Sequence, residues 1–237
     1  SPFVKVFEEE REMTVMILFD MSGSGNFGTN KHFKKELAAE IGAIIAFSAI
    51  KNNDKVGIIF FTNEVEKFIP PNKGKAHILR IIREILAFKP AKKKTDLSAA
   101  LEYFNSVIKK QSICFILSDF ISNNFDKPLK IASNKHDVIG LKLYDKREEI
   151  LPNVGLISLE DAETGNKILI DSSNKIIRST FTKNKKKHNQ KVSKILSNSG
   201  VDLINICTGD DYVKPLINFF KNRGKRRWKK NYSYFFL

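Results

Sequence analysis

The chain has 237 residues, 42% of them hydrophobic and 11% aromatic, including 19 Phe; this suits one α/β domain with a sizeable core and excludes a disordered or low-complexity chain. The most apolar helix candidate, residues 37–50, is flanked by Glu36 and Lys51 and falls short of the roughly 18 uncharged residues of a membrane span, so none is expected. The net charge of +15 brings nucleic acid or anionic lipid to mind, yet seven of the basic residues sit in 221–230 (KNRGKRRWKK) and others in 183–194 and Lys92-Lys93-Lys94, a pattern better read as solvated helix faces and loop tips.

Residues 13–20 (MTVMILFD) form a nearly continuous apolar run ending in a carboxylate, the signature of a central parallel strand covered on both faces. Helical periodicity follows over 31–51. Residues 56–62 read as the next strand and 65–69 as a short partner at the sheet edge, broken by Pro70-Pro71-Asn72. The stretch 76–88 is helical, with Ile78, Leu79, Ile82, Ile85 and Leu86 as its apolar stripe, and Thr95-Asp96 can cap a helix over 97–109. Residues 113–119 (ICFILSD) are a second buried strand ending in a carboxylate. A helix near 125–133, a strand over 137–143 and two helices flanking a strand at 201–206 continue the alternation. Residues 155–171 read instead as two strands about the turn 161–165, a β-hairpin that projects from the domain. Cys114 and Cys207 lie in apolar runs and read as reduced core residues of a cytoplasmic protein. The chain opens at Ser1 without an initiator Met, and is expected to be a fragment of a longer intracellular protein.

The chemistry-bearing stretch is 20–28 (DMSGSGNFG), between the first strand and the first helix. Gly23, Gly25 and Gly28 spell a dinucleotide fingerprint, but Asp20 would stand beside the pyrophosphate and no acidic residue ends the second strand to hold a ribose. Gly23 to Gly28 also begins a P-loop pattern, yet Thr29-Asn30 replaces the required Lys-Ser/Thr, so ATP is not implied. Read as DxSxS, the stretch puts Asp20, Ser22 and Ser24 on a turn at the carboxyl end of a central strand. Asp119 reaches the same edge from the second carboxylate-ended strand, and Thr95 can supply a further hydroxyl. Two facing carboxylates repel, and a hard divalent cation resolves the repulsion. An all-oxygen set suits Mg²⁺ (or Mn²⁺), and no His/Cys cluster is present for Zn²⁺.

The set Asp20, Ser22, Ser24, Thr95 and Asp119 resembles the metal-ion-dependent adhesion site of von Willebrand factor A domains. Together with 3–12 (FVKVFEEERE), 54–57 (DKVG), 118–120 (SDF), 136–139 (HDVI) and 161–165 (DAETG), it also resembles the bacterial family catalogued as domain of unknown function 58. Gly25 stands where that family often has Met, and the family's upstream segment rich in Arg, Gly-Asp and Asp-Trp is absent. The resemblance implies a doubly wound, mostly parallel sheet between helices, von Willebrand A-like or Rossmann-like, over residues 1–223. The hairpin is then an insertion at about 150–180, and 224–237 a basic-aromatic tail. It further implies Ser22, Ser24 and Thr95 as direct ligands, aspartates that hold waters, and a binding module rather than an enzyme. The implied partner is a MoxR-type AAA+ ATPase, in chaperone-like assembly or maturation of other proteins. Lys92, Lys93 and Lys94 would steer an acidic partner surface to the metal. Two rivals rank lower: a metal-dependent hydrolase, for which no Ser-His-Asp or Cys-His order is evident, and a nucleic-acid binder acting through the tail.

Overall fold

The computed structural model describes residues 13–26, 34–161 and 164–226. The expected readings at 3–12, 27–33 and 162–163, and the tail from 227 onward, lie outside the described residues. Eight strands and seven helices follow in order: β1 (Thr14–Asp20), α1 (Lys34–Lys51), β2 (Lys55–Phe61), β3 (Val65–Asn72), α2 (Lys75–Ala87), α3 (Leu97–Val107), β4 (Ile113–Ser118) and α4 (Asp126–Lys135). After them come β5 (Asp137–Tyr144), α5 (Lys146–Glu149), β6 (Leu156–Glu160), β7 (Lys167–Asp171), α6 (Lys175–Asn198), β8 (Asp202–Cys207) and α7 (Val213–Arg226).

The main sheet has the order β3-β2-β1-β4-β5-β8, parallel throughout except for β3 at its edge. Alternation along β1 explains its unbroken apolar run. Val15, Ile17 and Phe19 face a layer built from Leu37, Ile41 and Ile45 of α1, Ile78, Ile81 and Ile85 of α2, and Leu216 of α7. Met16 and Leu18 face the other layer, with Leu97, Leu101 and Phe104 of α3, Leu129 of α4 and Leu196 of α6. A strand buried on both faces cannot alternate apolar with polar, and β1, β2 and β4 do not. The doubly wound, mostly parallel architecture with a separate β6-β7 hairpin is therefore the one expected from the sequence.

Two local expectations need correction. Strand β3 continues through Pro70 and Pro71 to Asn72; it is an edge strand, and the prolines fall at a ladder irregularity between the Val56 and Ile58 pairings, where a missing N–H does little harm. The buried stripe of α2 is Ile78, Ile81 and Ile85, whereas Leu79 and Leu86 are exposed. The short helix α5 was not anticipated.

Gly57 opposes the same irregularity. A Cβ there would lie 2.8 Å from Met16 Sδ and 2.9 Å from both the Ile69 carbonyl oxygen and the Pro71 nitrogen. Backbone atoms cannot give way as a flexible side chain can, so Gly57→Ala is expected to lower stability by about 2–3 kcal/mol. Gly25→Ala, whose Cβ would find Lys35 Cβ at 3.7 Å, should change stability by less than about 0.5 kcal/mol. Urea unfolding of the two variants checks the contrast.

Candidate metal centre

Strands β1 and β4 run side by side with Phe19 opposite Leu117, so Asp20 and Ser118 leave the sheet as neighbours at its carboxyl edge. Strand β2 lies on one side of β1 and β4 on the other, which makes this crevice the switch point of a doubly wound sheet, where ligands bind. Both oxygens of Asp20 are engaged: Oδ1 accepts from the Ser22 N–H at 2.9 Å and Oδ2 from the Ser118 hydroxyl at 2.6 Å. The first bond bends the chain into a 3-10 turn, Gly23–Asn26, and sets Ser22 Oγ 3.0 Å from Ser24 Oγ.

On the β4 side, Ser118 Oγ accepts from the Phe120 N–H and Asp119 Oδ1 from the Ile121 N–H, each at 3.0 Å. Phe120 has a φ of 59°, which costs a bulky residue about 1–2 kcal/mol. Full burial of its ring and these two bonds hold the turn and aim Asp119 at Asp20. The Gly23 N–H donates to the Lys93 carbonyl at 2.8 Å and the Asp96 N–H to the Thr62 carbonyl at 2.8 Å, which brings the loop carrying Thr95 against the DxSxS turn. Asp96 then caps α3 by accepting from the Ala99 N–H.

Asp20, Ser22, Ser24 and Asp119 line one cavity of about 20 Å³, room for a single water or ion. Thr95 is not on its wall, but its hydroxyl oxygen is buried and has no hydrogen-bond partner among the described residues. Lys92, Lys93 and Lys94 are exposed beside the turn.

The electrostatics carry a feature the sequence reading missed. Lys34, at the start of α1, is 3% exposed and its Nζ lies 3.1 Å from Asp119 Oδ2 and 2.8 Å from Glu148 Oε1. Burial pushes the Asp20 carboxyl up, and the Asp119 charge pushes it further, to about 6 against its Ser118 and Ser22 hydrogen bonds. Burial would raise Asp119 as well, but the Lys34 ammonium, the Ile121 N–H and the Ser24 hydroxyl outweigh it and hold Asp119 below its ordinary value. Burial would lower Lys34, and the charges of Asp119 and Glu148 raise it instead. Glu148 is itself held by a capping box on α5, its Oε2 accepting from the Asp145 N–H at 3.2 Å. The stretch Asp145-Lys146-Arg147-Glu148 has the Asp-x-x-Glu spacing of such a box, the signal that would have found α5.

The donor set fits a hard cation. It is all oxygen, with Lys34 on the same wall neutralising Asp119 while Asp20, raised by burial and by the Asp119 charge, has no cation of its own among the described ion pairs, and the loop that carries Thr95 is bonded to the turn through Lys93. Among the described residues no three His, Cys, Asp or Glu side chains gather to hold a metal; hydroxyls make up the balance. Of the described histidines, His136 is buried at the start of β5 with Nδ1 2.9 Å from Ser112 Oγ, and His188 on α6 bonds the Phe120 backbone next to Asp119.

Fold and crevice together define a doubly wound, mostly parallel α/β domain with a crevice at its switch point. It belongs to the family described as protein of unknown function DUF58, whose pattern matches residues 1–191. An uncharacterized protein of Mycobacterium tuberculosis, Rv1480, is 26% identical over 94% of this chain and 71% of its own length. Among solved structures, the conserved hypothetical protein BatB from Bacteroides thetaiotaomicron superimposes with a TM-score of 0.59 at 15% identity, over 90% of this chain and 99% of that one. An aerotolerance-related membrane protein from Bacteroides fragilis gives a TM-score of 0.57 at 16% identity, over 82% and 91%. These two likenesses show the fold. No helix among the described residues is long and apolar enough to cross a membrane.

Proposed function

We propose that this chain is a metal-dependent protein-interaction module of the cytoplasm that binds Mg²⁺ (or Mn²⁺) at Asp20, Ser22, Ser24, Thr95 and Asp119 and docks a partner there. The observation that carries the reading is the convergence of two carboxylates and two hydroxyls on one ion-sized cavity at the switch point, beside the unpartnered Thr95 hydroxyl. Ser22, Ser24 and Thr95 would be the direct donors, and Asp20 and Asp119, whose oxygens already accept from Ser22, Ser118, Ile121 and Lys34, would act through water. When bound, the cation supplies an electrophilic open position for an anionic oxygen. Because three of the donors are neutral and Lys34 offsets one carboxylate, little of its charge is cancelled, which favours an Asp or Glu side chain from the partner. Exposed Lys92, Lys93 and Lys94 steer acidic surfaces toward the same edge.

The family resemblance supports a MoxR-type AAA+ ATPase as that partner, and a role in assembly or maturation of other proteins rather than catalysis. Residues 1–223 act as one interaction domain with the hairpin inserted at about 150–180 and the tail, 224–237, appended. A pull-down of such an ATPase with the intact protein, with Asp20→Ala and with EDTA tests the reading. Recovery should be lost in both of the latter; equal recovery in all three would contradict metal-dependent docking.

A further inference from the structure

A groove of about 730 Å³ runs along α6, and it shares no lining residue with the metal crevice. Ile150 and Leu151, the residues that follow α5, give it an aliphatic side. Lys175, Lys183, Lys186 and Lys187 line it from α6, and no carboxylate does. Helix α6 carries eight Lys or Arg and no Asp or Glu in its 24 residues, and none of the four lysines forms an ion pair among the described residues. A stack of like charges on one helix is mutually repulsive and is relieved by an anion laid along it.

The β6-β7 hairpin, which precedes α6, leaves apolar side chains uncovered on both of its faces. Ile157 pairs with Ile170 and Leu159 with Ile168 on one face. Leu156, Ile168 and Leu169 are between 65% and 69% exposed, and Ile176, in the first turn of α6, is 73% exposed. The hairpin is held in place at its base. The buried Ser172 hydroxyl donates to the Gly155 carbonyl at 2.6 Å and accepts from the Val154 N–H at 3.0 Å. Arg178 Nη1, from the groove, donates to the Ser172 and Ser173 carbonyls. The groove is thus basic along α6 and aliphatic at Ile150 and Leu151.

We infer that this groove binds an acidic, amphipathic peptide segment of a protein partner, independently of the metal crevice. Charge complementarity selects an acidic occupant, and the aliphatic side requires apolar side chains on the same chain. Nucleic acid meets the first condition only, since the groove lining holds no aromatic ring on which bases could stack. A bilayer is flat and does not enter a concave groove.

Fluorescence anisotropy with a labelled Glu/Leu amphipathic peptide of roughly 15 residues tests this. The peptide should bind with or without EDTA, and Lys183→Glu with Lys186→Glu should weaken it by about tenfold or more. Changing its Leu to Ser, with charge unaltered, should weaken binding by a similar factor of about ten, as should Ile150→Ser in the protein. Both sets of substitutions fall on exposed side chains, and circular dichroism confirms that the fold persists. Absence of binding, equal binding of the Ser peptide, or loss on chelation would overturn the inference. So would tighter binding of phosphatidylserine vesicles or of a single-stranded oligonucleotide that is abolished by the same charge reversals. Because EDTA leaves the expected signal intact, failure here is distinguishable from failure of the metal reading.

Discussion

Replacing Lys34 by methionine is expected to lower the stability of the metal-free protein by about 3–5 kcal/mol, because it strands a buried carboxylate rather than removing a contact. The Asp119 side chain is 5% exposed and is ion-paired with the Lys34 ammonium, itself 3% exposed. Removing that ammonium restores the burial cost that it now offsets and leaves two carboxylates facing each other across the crevice. Mg²⁺ should therefore recover more stability in Lys34→Met than in the unaltered protein, since the ion then stands in for the missing ammonium at Asp119. Breaking the exposed Lys146–Asp210 pair, 71% and 53% exposed, should by contrast cost no more than about 0.5 kcal/mol. Urea unfolding of both variants with and without Mg²⁺ provides the check; a loss in Lys34→Met as small as in Lys146→Ala would contradict the role assigned to Lys34.

The second large effect follows from Asp20. Its carboxyl is raised from 3.8 to about 6 in the folded state, so between those values the folded protein holds a proton that the unfolded chain has released. Stability contributed by Asp20 then falls as pH rises through that window, by up to about 3 kcal/mol, and stays low above it. Asp119 acts in the opposite sense: its lowered value makes its contribution present above the ordinary carboxylate range and lost as pH falls below it. Asp20→Asn isolates the first contribution. Metal-free Asp20→Asn should be more stable than the unaltered protein near pH 7 by about 2 kcal/mol, with the advantage vanishing near pH 4. Stabilisation of the unaltered protein by Mg²⁺ should grow as pH rises through about 6, where protons cease to compete for the carboxylate. A stability difference that does not vary with pH would show that the Asp20 carboxylate bears no such strain.

Much of this was legible from sequence because the strands that build the crevice are buried on both faces. Residues 13–20 and 113–119 have to be almost wholly apolar until they emerge, so the first carboxylate in each run marks the sheet edge, and both markers end up at one cavity. The Thr95-Asp96 cap was readable for a similar local reason, a side chain that accepts from the N–H three residues on. What could not be read depended on long-range placement. Lys34 looks like one more basic residue in a Lys-rich stretch, and only the docking of α1 against α5 turns it inward to Asp119 and Glu148. The prolines of β3 were read as a break because sequence does not reveal that the ladder is already irregular there. In α2 the apolar periodicity allowed two stripes, and packing against α1 and the sheet chose Ile81 over Leu79 and Leu86. The hairpin was legible as two strands about a turn because 155–160 and 167–171 are strand-like runs that flank the turn at 161–165.

The claim that the crevice holds a divalent cation is tested most directly by calorimetric titration of the purified protein with Mg²⁺ and with Mn²⁺, near neutral pH, alongside Asp20→Ala. Asp20 sits at the sheet edge, half-buried, so the variant should remain folded. One ion per chain is expected to bind to the intact protein at millimolar concentration and none to the variant. Unchanged affinity in Asp20→Ala, or no saturable binding to either protein, would contradict the account.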